Sequence, residues 1–460
     1  MIVRAQERER RSARRVVHFS ILVFSKFTTV FAIAAAAVSC AESPPAVSIP
    51  TRGRLEEWAI GRMTAALPAH ALAGQLVIIG IENRSDGGPM LRLDEETRGL
   101  IADVRPGAAV LFGQTFATVD QVVGLVHDLH DASAIPPIVA TDYEGGLVSR
   151  LTTTGGIPAT RIPSAAVVGR AAQRLEEDGD RELLAVRELG RVMGSELRAL
   201  GVTMDFAPVV DVDPAGATGA IGRHERTYGD DPVHVGRVGA AIATGLQDEG
   251  VAAVLKHFPG HGAVETDSHD ELAVLAAPRT LIRTRELAAF EIALAAQPEA
   301  IMTAHLAVPG LTGTNDPASL SAAITAIARD ELGFRGLIIA DALNMRALTA
   351  LAPEPELVVR AIESGADMVL KPLNARAARD ALLDALRTGR LDRARLEQSV
   401  RRILRVKRRL GLMPLRPCGR ADIATGGEPL PNAHDAYDVL GSPAHREVVE
   451  RIMELAGERE

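Results

Sequence analysis

Cysteine is almost missing from this sequence: Cys40 and Cys418 are the two in 460 residues, so no internal disulfide framework holds the fold together. Aromatic residues are scarce as well, with one Trp and three Tyr. That scarcity argues against a long cleft lined by stacking rings and favours a small pocket that grips its ligand by hydrogen bonds. No G-x-G-x-x-G turn and no Walker-type loop is present, which removes the usual signatures of dinucleotide and nucleoside triphosphate sites. An excess of positive charge is missing too. The net charge is −8, and residues 1–39 hide part of it, because their seven Arg/Lys against two Glu leave −13 for the rest. An acidic body of that kind is a poor binder of nucleic acid.

Hydrophobic residues make up 47% of the chain and charged residues 24%, which suits a globular core. The length allows one large barrel or two to three average domains. Residues 1–40 read as an export segment. Arg4, Arg8, Arg10, Arg11, Arg14 and Arg15 form a basic start, and an apolar stretch interrupted by Lys26 then runs to Cys40. The lysine, and the small residues before the cysteine, suit a cleaved signal better than a permanent membrane span. AVSC resembles the lipobox of bacterial lipoproteins, with Ala37 where Leu is usual, and this implies a lipid-anchored Cys40. Residues 41–54 read as a Pro/Ser tether.

From about residue 70 to 412, short apolar runs alternate with longer amphipathic stretches, the pattern of βα units. The expected strands are 75–80, 108–112, 137–142, 203–211, 251–257, 300–305, 336–341 and 367–371. Expected helices are 94–104, 118–132, 181–200, 234–249, 284–296, 318–332, 355–364, 376–388 and 393–411. Continuous Val/Ile/Leu/Ala runs are what strands buried on both faces require. Six of the eight runs end on Asp142, Asp211, Lys256-His257, His305, Asp341 or Lys371. In a TIM (β/α)8 barrel the C-terminal strand ends converge on one mouth, where active sites sit. The expected fold is therefore an α/β TIM barrel over residues 55–412, followed by a tail, 413–460, that either caps the barrel or stays mobile.

The densest chemical signal is KHFPGHGAVETDSH, residues 256–269. Lys256 and His257 end the fifth strand, and a Gly/Pro turn then presents Asp267, Ser268 and His269. Two positions apart in an extended loop, the Asp267 carboxylate can orient and charge-stabilise the His269 imidazole. His257, His261, Asp267 and His269 are also plausible metal ligands. A metal-dependent barrel hydrolase would add an H-x-H pair on strand one, which offers Gly80, Ile81 and Glu82 instead.

KHFPGHG followed by DSH, together with LIIADALNM at 337–345, resembles glycoside hydrolase family 3, and within it the bacterial β-N-acetylglucosaminidases. The resemblance spans roughly residues 55–412. It implies that Asp341 is the nucleophile, that His269 with Asp267 is the acid/base dyad, and that Lys256 and His257 bind sugar hydroxyls. TDYEGGLVSR (141–150) resembles the family's D-x-E-G-G…R stretch. It implies that Asp142 holds the hydroxyls of a terminal sugar while Arg150 braces it. Tyr143 and Leu147 stand where the family often has Gln and Arg, a departure expected to leave the chemistry alone. IGRHERTYGDDP (221–232) resembles another family stretch and implies that Arg226, in preference to Arg223, reaches the sugar or its N-acetyl group. His305 either lines the pocket floor or is structural, and Asp211 anchors a loop.

The implied activity is retaining, exo-acting removal of β-linked N-acetylglucosamine from peptidoglycan fragments, with neither metal nor organic cofactor. The implied partners are a small sugar or muropeptide and, through the lipid, a membrane. Two rivals stand beside it: phosphorolysis, which a neutral imidazole permits because it does not repel phosphate, and a lipid-anchored sugar-binding protein without catalysis.

Overall fold

The computed structural model describes residues 52–84, 86–152, 156–180, 183–214, 219–264, 272–413 and 430–458. The chain divides into a unit Met1–Leu55 and a unit Glu56–Glu460. The expected export segment with Cys40 lies outside the described residues, as does nearly all of the expected tether. The first helix, Arg52–Ala66, begins within the stretch assigned to that tether.

Eight parallel strands close into a barrel. They are β1 (Val77–Ile81), β2 (Ala108–Leu111), β3 (Ile138–Thr141), β4 (Met204–Asp205), β5 (Ala252–Phe258), β6 (Ala300–Thr303), β7 (Leu337–Ala340) and β8 (Met368–Leu370). Each pairs with its neighbour in sequence, and β8 closes on β1 through Ile78 opposite Leu370. The strands form where Val, Ile, Leu and Ala run together because both their faces are covered, by the barrel interior and by the helical ring. Seven of the eight hold to the expected runs within a few residues. The fourth shrinks to two ladder residues, since Pro208 has no N–H to offer, and the chain continues as a single bridge between Val209 and Lys256.

The helical ring differs from expectation in three places. Helix Ala165–Glu177 stands where none was expected. Its buried stripe of Ala165, Val168, Ala171, Ala172 and Leu175 opposes exposed Arg170, Gln173, Arg174 and Glu177, so its amphipathic period is plain in the sequence. The expected 284–296 helix runs over Glu286–Ala293 and ends in a 3-10 turn, Leu294–Ala296, and a separate helix, Arg279–Thr284, precedes it across Arg285. The 318–332 stretch becomes a 3-10 turn, a short α-helix and a π-helical turn.

Helix Arg393–Arg409 ties together the starts of three strands. Arg402 meets Asp367 at 2.8 Å before β8, Arg409 meets Glu299 at 2.5 Å before β6, and Lys407 donates to Gln75 Oε1 at 2.8 Å before β1. The foot of the barrel is thus sewn with polar bonds, leaving the opposite end free for function. Beyond the gap at 414–429, helices Ala433–Val439 and Pro443–Leu455 fold back onto the ring. The first packs on helices Val119–Asp131 and Leu184–Ala199, the second on Ala165–Glu177 and Leu184–Ala199.

Lys407 is fully buried, and burial pushes its amine well below the ordinary lysine range. The folded state therefore binds fewer protons than the unfolded chain, and this penalty grows as pH falls below about 10. Thermal melts of Lys407→Met and of the parent should diverge in the variant's favour as pH falls from about 10. Melts that stay parallel would show that the amine remains charged.

Candidate active site

After β3 the chain turns back in a small hairpin, Tyr143–Gly145 paired with Val148–Ser149. Gly145 makes the turn with φ +93°, and a Cβ there would lie 2.2 Å from the Pro163 carbonyl oxygen, so no other residue fits. The hairpin brings Asp142 and Glu144 to the mouth on either side of buried Tyr143.

Lys256, within β5 and 3% exposed, meets both carboxylates. Its Nζ lies 2.8 Å from Asp142 Oδ1 and 2.6 Å from Glu144 Oε1. Arg226 forks onto Glu144, with Nε and Nη2 each 2.8 Å from a carboxylate oxygen. Arg150 approaches Asp142 at 3.7 Å, an ion pair without a hydrogen bond. The result is an alternating chain, Arg150–Asp142–Lys256–Glu144–Arg226. Burial pushes the Glu144 carboxyl up, but Arg226 and Lys256 more than reverse this and hold it well below the usual carboxylate range. Burial likewise pushes Lys256 down, and the two carboxylates raise it above an ordinary lysine. Glu144, Lys256 and Arg226 are therefore charged at neutral pH.

Four of these five residues are candidates from the sequence. Glu144 is not, although it stands inside the quoted D-x-E-G-G stretch. The signal was an acidic residue two places after Asp142, on the same side of an extended chain. Of Arg226 and Arg223, Arg226 enters the charge chain, whereas Arg223 is exposed, with its Nε 3.3 Å from His224.

Asp211 is wholly buried and holds the other half of the mouth. It accepts from the backbone N–H of His257 at 3.2 Å, that of His261 at 2.7 Å, and the His257 Nδ1–H at 2.7 Å. The last bond fixes the His257 tautomer and turns Nε2 outward. Burial raises the Asp211 carboxyl, and His257 with these N–H donors brings it below the usual range.

Asp341 follows β7 and accepts from the Ala342 N–H at 2.7 Å. No helix starts at Ala342, and the next begins at Arg346, so Asp341 is not acting as a helix cap. Its burial favours the neutral acid, but His305, His257, the Ala342 N–H and Lys256 outweigh this and keep the carboxyl below its ordinary value. It is therefore an anion. His305 is fully buried with both ring nitrogens engaged, Nδ1 with Ser319 Oγ at 2.7 Å and Nε2 with the Ala342 carbonyl at 2.9 Å. It braces the peptide beside Asp341. Lys371, after β8, pairs with Glu82 and lies 4.4 Å over the Phe112 ring, on the rim of the mouth. Asp267 and His269 lie outside the described residues. The chain leaves for them at Val264, directly after the His257–His261 turn, and is described again from Leu272.

The profile described as "Glycosyl hydrolase family 3 N terminal domain" matches residues 71–406. This chain belongs to glycosyl hydrolase family 3. It is 33% identical over 374 residues to the beta-hexosaminidase LpqI of Mycobacterium tuberculosis, covering 79% of this chain and 88% of that protein. Among solved structures it is similar to a family 3 β-N-acetylglucosaminidase from Paenibacillus sp. str. FPU-7, with TM-score 0.73, 34% identity, and coverage of 85% and 69% of the two chains. A beta-glucoside phosphorylase, BglX, is also similar, at TM-score 0.70 and 25% identity over 87% of this chain and 66% of that one. The barrel mouth is thus that of a glycoside hydrolase, and the tail helices fall beyond the matched residues.

One buried acid behaves unlike the rest. Asp205 ends β4, is fully buried, and accepts from the Tyr143 N–H at 2.9 Å while its Oδ2 has no partner. Burial raises its carboxyl to about 8, helped by the nearby Asp142 and Glu144 and only partly opposed by that N–H and Lys256. The folded protein then holds a proton that the unfolded chain releases near pH 4. Asp205→Asn should gain in melting temperature over the parent progressively from about pH 4 to about pH 8 and hold a constant gain above that. A gain independent of pH would mean that Asp205 is ionised in the folded state.

Proposed function

We propose that this hydrolase is a retaining exo-β-N-acetylglucosaminidase that releases terminal β-linked N-acetylglucosamine from peptidoglycan fragments. The observation that carries the reading is the half-buried, anionic Asp341 set at the same end of the barrel as the Arg150–Asp142–Lys256–Glu144–Arg226 chain. Such a chain offers a carboxylate and cations in fixed places to the hydroxyls of one sugar ring. The small pocket expected from the shortage of aromatic residues fits one ring better than a long polymer. The beta-hexosaminidase and β-N-acetylglucosaminidase names of the similar proteins support the linkage and the sugar.

In the proposed reaction an Asp341 oxygen attacks the anomeric carbon as the bond to the leaving oxygen breaks. His269, protonated and oriented by Asp267, gives that oxygen its proton. The neutral imidazole then takes a proton from water, whose oxygen displaces Asp341 and completes the second inversion. Asp142, Lys256, His257 and Arg226 hold the sugar, with Arg150 bracing Asp142. No metal or organic cofactor takes part. Export and a lipid on Cys40 would place the reaction at the cell envelope.

Asp341→Ala should be nearly inactive on every substrate. His269→Ala should collapse on a disaccharide but give a burst of nitrophenol from 4-nitrophenyl β-N-acetylglucosaminide, because nitrophenolate leaves without a proton. Azide should speed its slow second step and yield the β-glycosyl azide, and an α-azide product would sink the assignment. Asp142→Ala should lose about 2–4 kcal/mol of transition-state binding, read as a fall in kcat/KM without a matching fall in melting temperature. Product analysis with and without phosphate separates hydrolysis from phosphorolysis, since release of the sugar 1-phosphate would replace the hydrolytic reading.

Location has its own test. A fatty-acid analogue should label the parent and not Cys40→Ser, and equal labelling would remove the lipid anchor.

A further inference from the structure

Glu196, on helix Leu184–Ala199, is fully buried and gathers bonds from three distant parts of the chain. Thr160 donates its N–H at 3.0 Å and its hydroxyl at 2.6 Å. The Tyr143 hydroxyl lies 3.0 Å from Oε2 and also 2.6 Å from the Thr160 carbonyl. From the tail, Gly441 donates its N–H at 2.8 Å and His445 its Nδ1–H at 3.1 Å.

The tail is built to reach this carboxylate. Gly441 has φ +56°, and a Cβ on it would lie 2.3 Å from the Pro158 carbonyl oxygen, so the backbone at 441 comes right down on the segment before Thr160. Ser442 caps helix Pro443–Leu455 by accepting from the His445 N–H at 3.3 Å, which fixes His445 in the helix's first turn. On the far side, Tyr143 is held at both ends: its hydroxyl by Glu196 and Thr160, its N–H by Asp205 at 2.9 Å. Tyr143 is the residue between Asp142 and Glu144, the two carboxylates that Lys256 bridges.

We propose that the tail helices are a positioning element of the active site: His445 and Gly441 orient Glu196, Glu196 orients Tyr143 and Thr160, and Tyr143 sets where Asp142 and Glu144 stand against Lys256. A buried carboxylate stripped of two donors must turn or admit water. Either response moves the Tyr143 hydroxyl and, with it, the hairpin. Displacements of about 1 Å at groups that place a substrate lower rates up to about 100-fold. His445 and Glu196 touch no substrate and act only through Tyr143.

The proposal rests on Asp142 holding the sugar, and the experiment separates the two claims. In the full chain, kcat and KM on 4-nitrophenyl β-N-acetylglucosaminide are measured for His445→Ala, His445→Asn, Glu196→Gln and Asp142→Ala. Amide hydrogen exchange is followed in peptides covering 141–150 and 430–458. His445→Ala should lower kcat/KM about tenfold, at the low side of the range for misplaced groups, and speed exchange in both regions. His445→Asn, whose amide nitrogen falls near the lost Nδ1, should restore most of the activity and the slow exchange at 141–150. Should His445→Ala fail to fold, Glu196→Gln carries the same readings, because an amide cannot accept on both of its ends. Faster exchange confined to 430–458, with parental kcat/KM, would overturn the proposal and leave the tail a mere cover. An Asp142→Ala variant with parental kcat/KM would instead overturn the sugar-binding role, whatever the exchange at 141–150 does.

Discussion

Lys256 keeps a full positive charge inside a closed barrel, and the mouth is arranged around the need to neutralise it. An unpaired buried ammonium would lose its proton or unfold the protein. Two carboxylates are therefore delivered to it by the hairpin after β3, and the second of them is neutralised in turn by Arg226 from the segment between β4 and helix Pro232–Asp248. Each charge is held because its neighbour is held. The chain ends at Asp142, which has a weaker hold on Arg150 than on Lys256 and so keeps an oxygen for a ligand.

Beside that chain the mouth contains acids in two opposite states, and burial alone does not decide between them. Asp341, half-buried, and Asp205, fully buried, are both carboxyl groups at strand ends. Asp341 has a backbone donor and several imidazole and ammonium neighbours, so the charged form wins. Asp205 has one backbone donor and two nearby carboxylates, so the proton stays. The placement of His305 belongs to the same logic, since it holds the carbonyl of Ala342, the residue whose N–H donates to Asp341, and has no ring nitrogen to spare.

Much of the barrel was legible in the sequence because a strand buried on both faces writes itself as an unbroken apolar run. Helix Ala165–Glu177 is written there too, with Val168, Ala172 and Leu175 on one face and Arg170, Gln173, Arg174 and Glu177 on the other, although no helix was expected over it. Asp142, Lys256, His257, Arg226 and Asp341 could be found because they end strands or stand in long motifs. Glu144 stood in such a motif and was passed over, its importance arising only when Arg226 and Lys256 converge on it. Tyr143 was read as a harmless departure from the family pattern, yet its phenol reaches a carboxylate that the tail also holds. That link joins residues 249 apart in His445 and Glu196, and no local pattern announces it.

The charge chain is assembled from pieces far apart in the polypeptide: Lys256 and Asp142 are 114 residues apart, and Arg226 and Glu144 are 82 apart. Contacts of such long range form only after the intervening chain has been ordered, since loop closure comes before the contact that rewards it. A half-built barrel with β1 to β3 in place has Asp142 and Glu144 but no Lys256, and two carboxylates without their cation repel each other. The charge chain is therefore among the last features the nascent chain acquires. Ligand binding at this mouth then reports ring closure itself, and a bound sugar stabilises the finished barrel over every partly folded form of it.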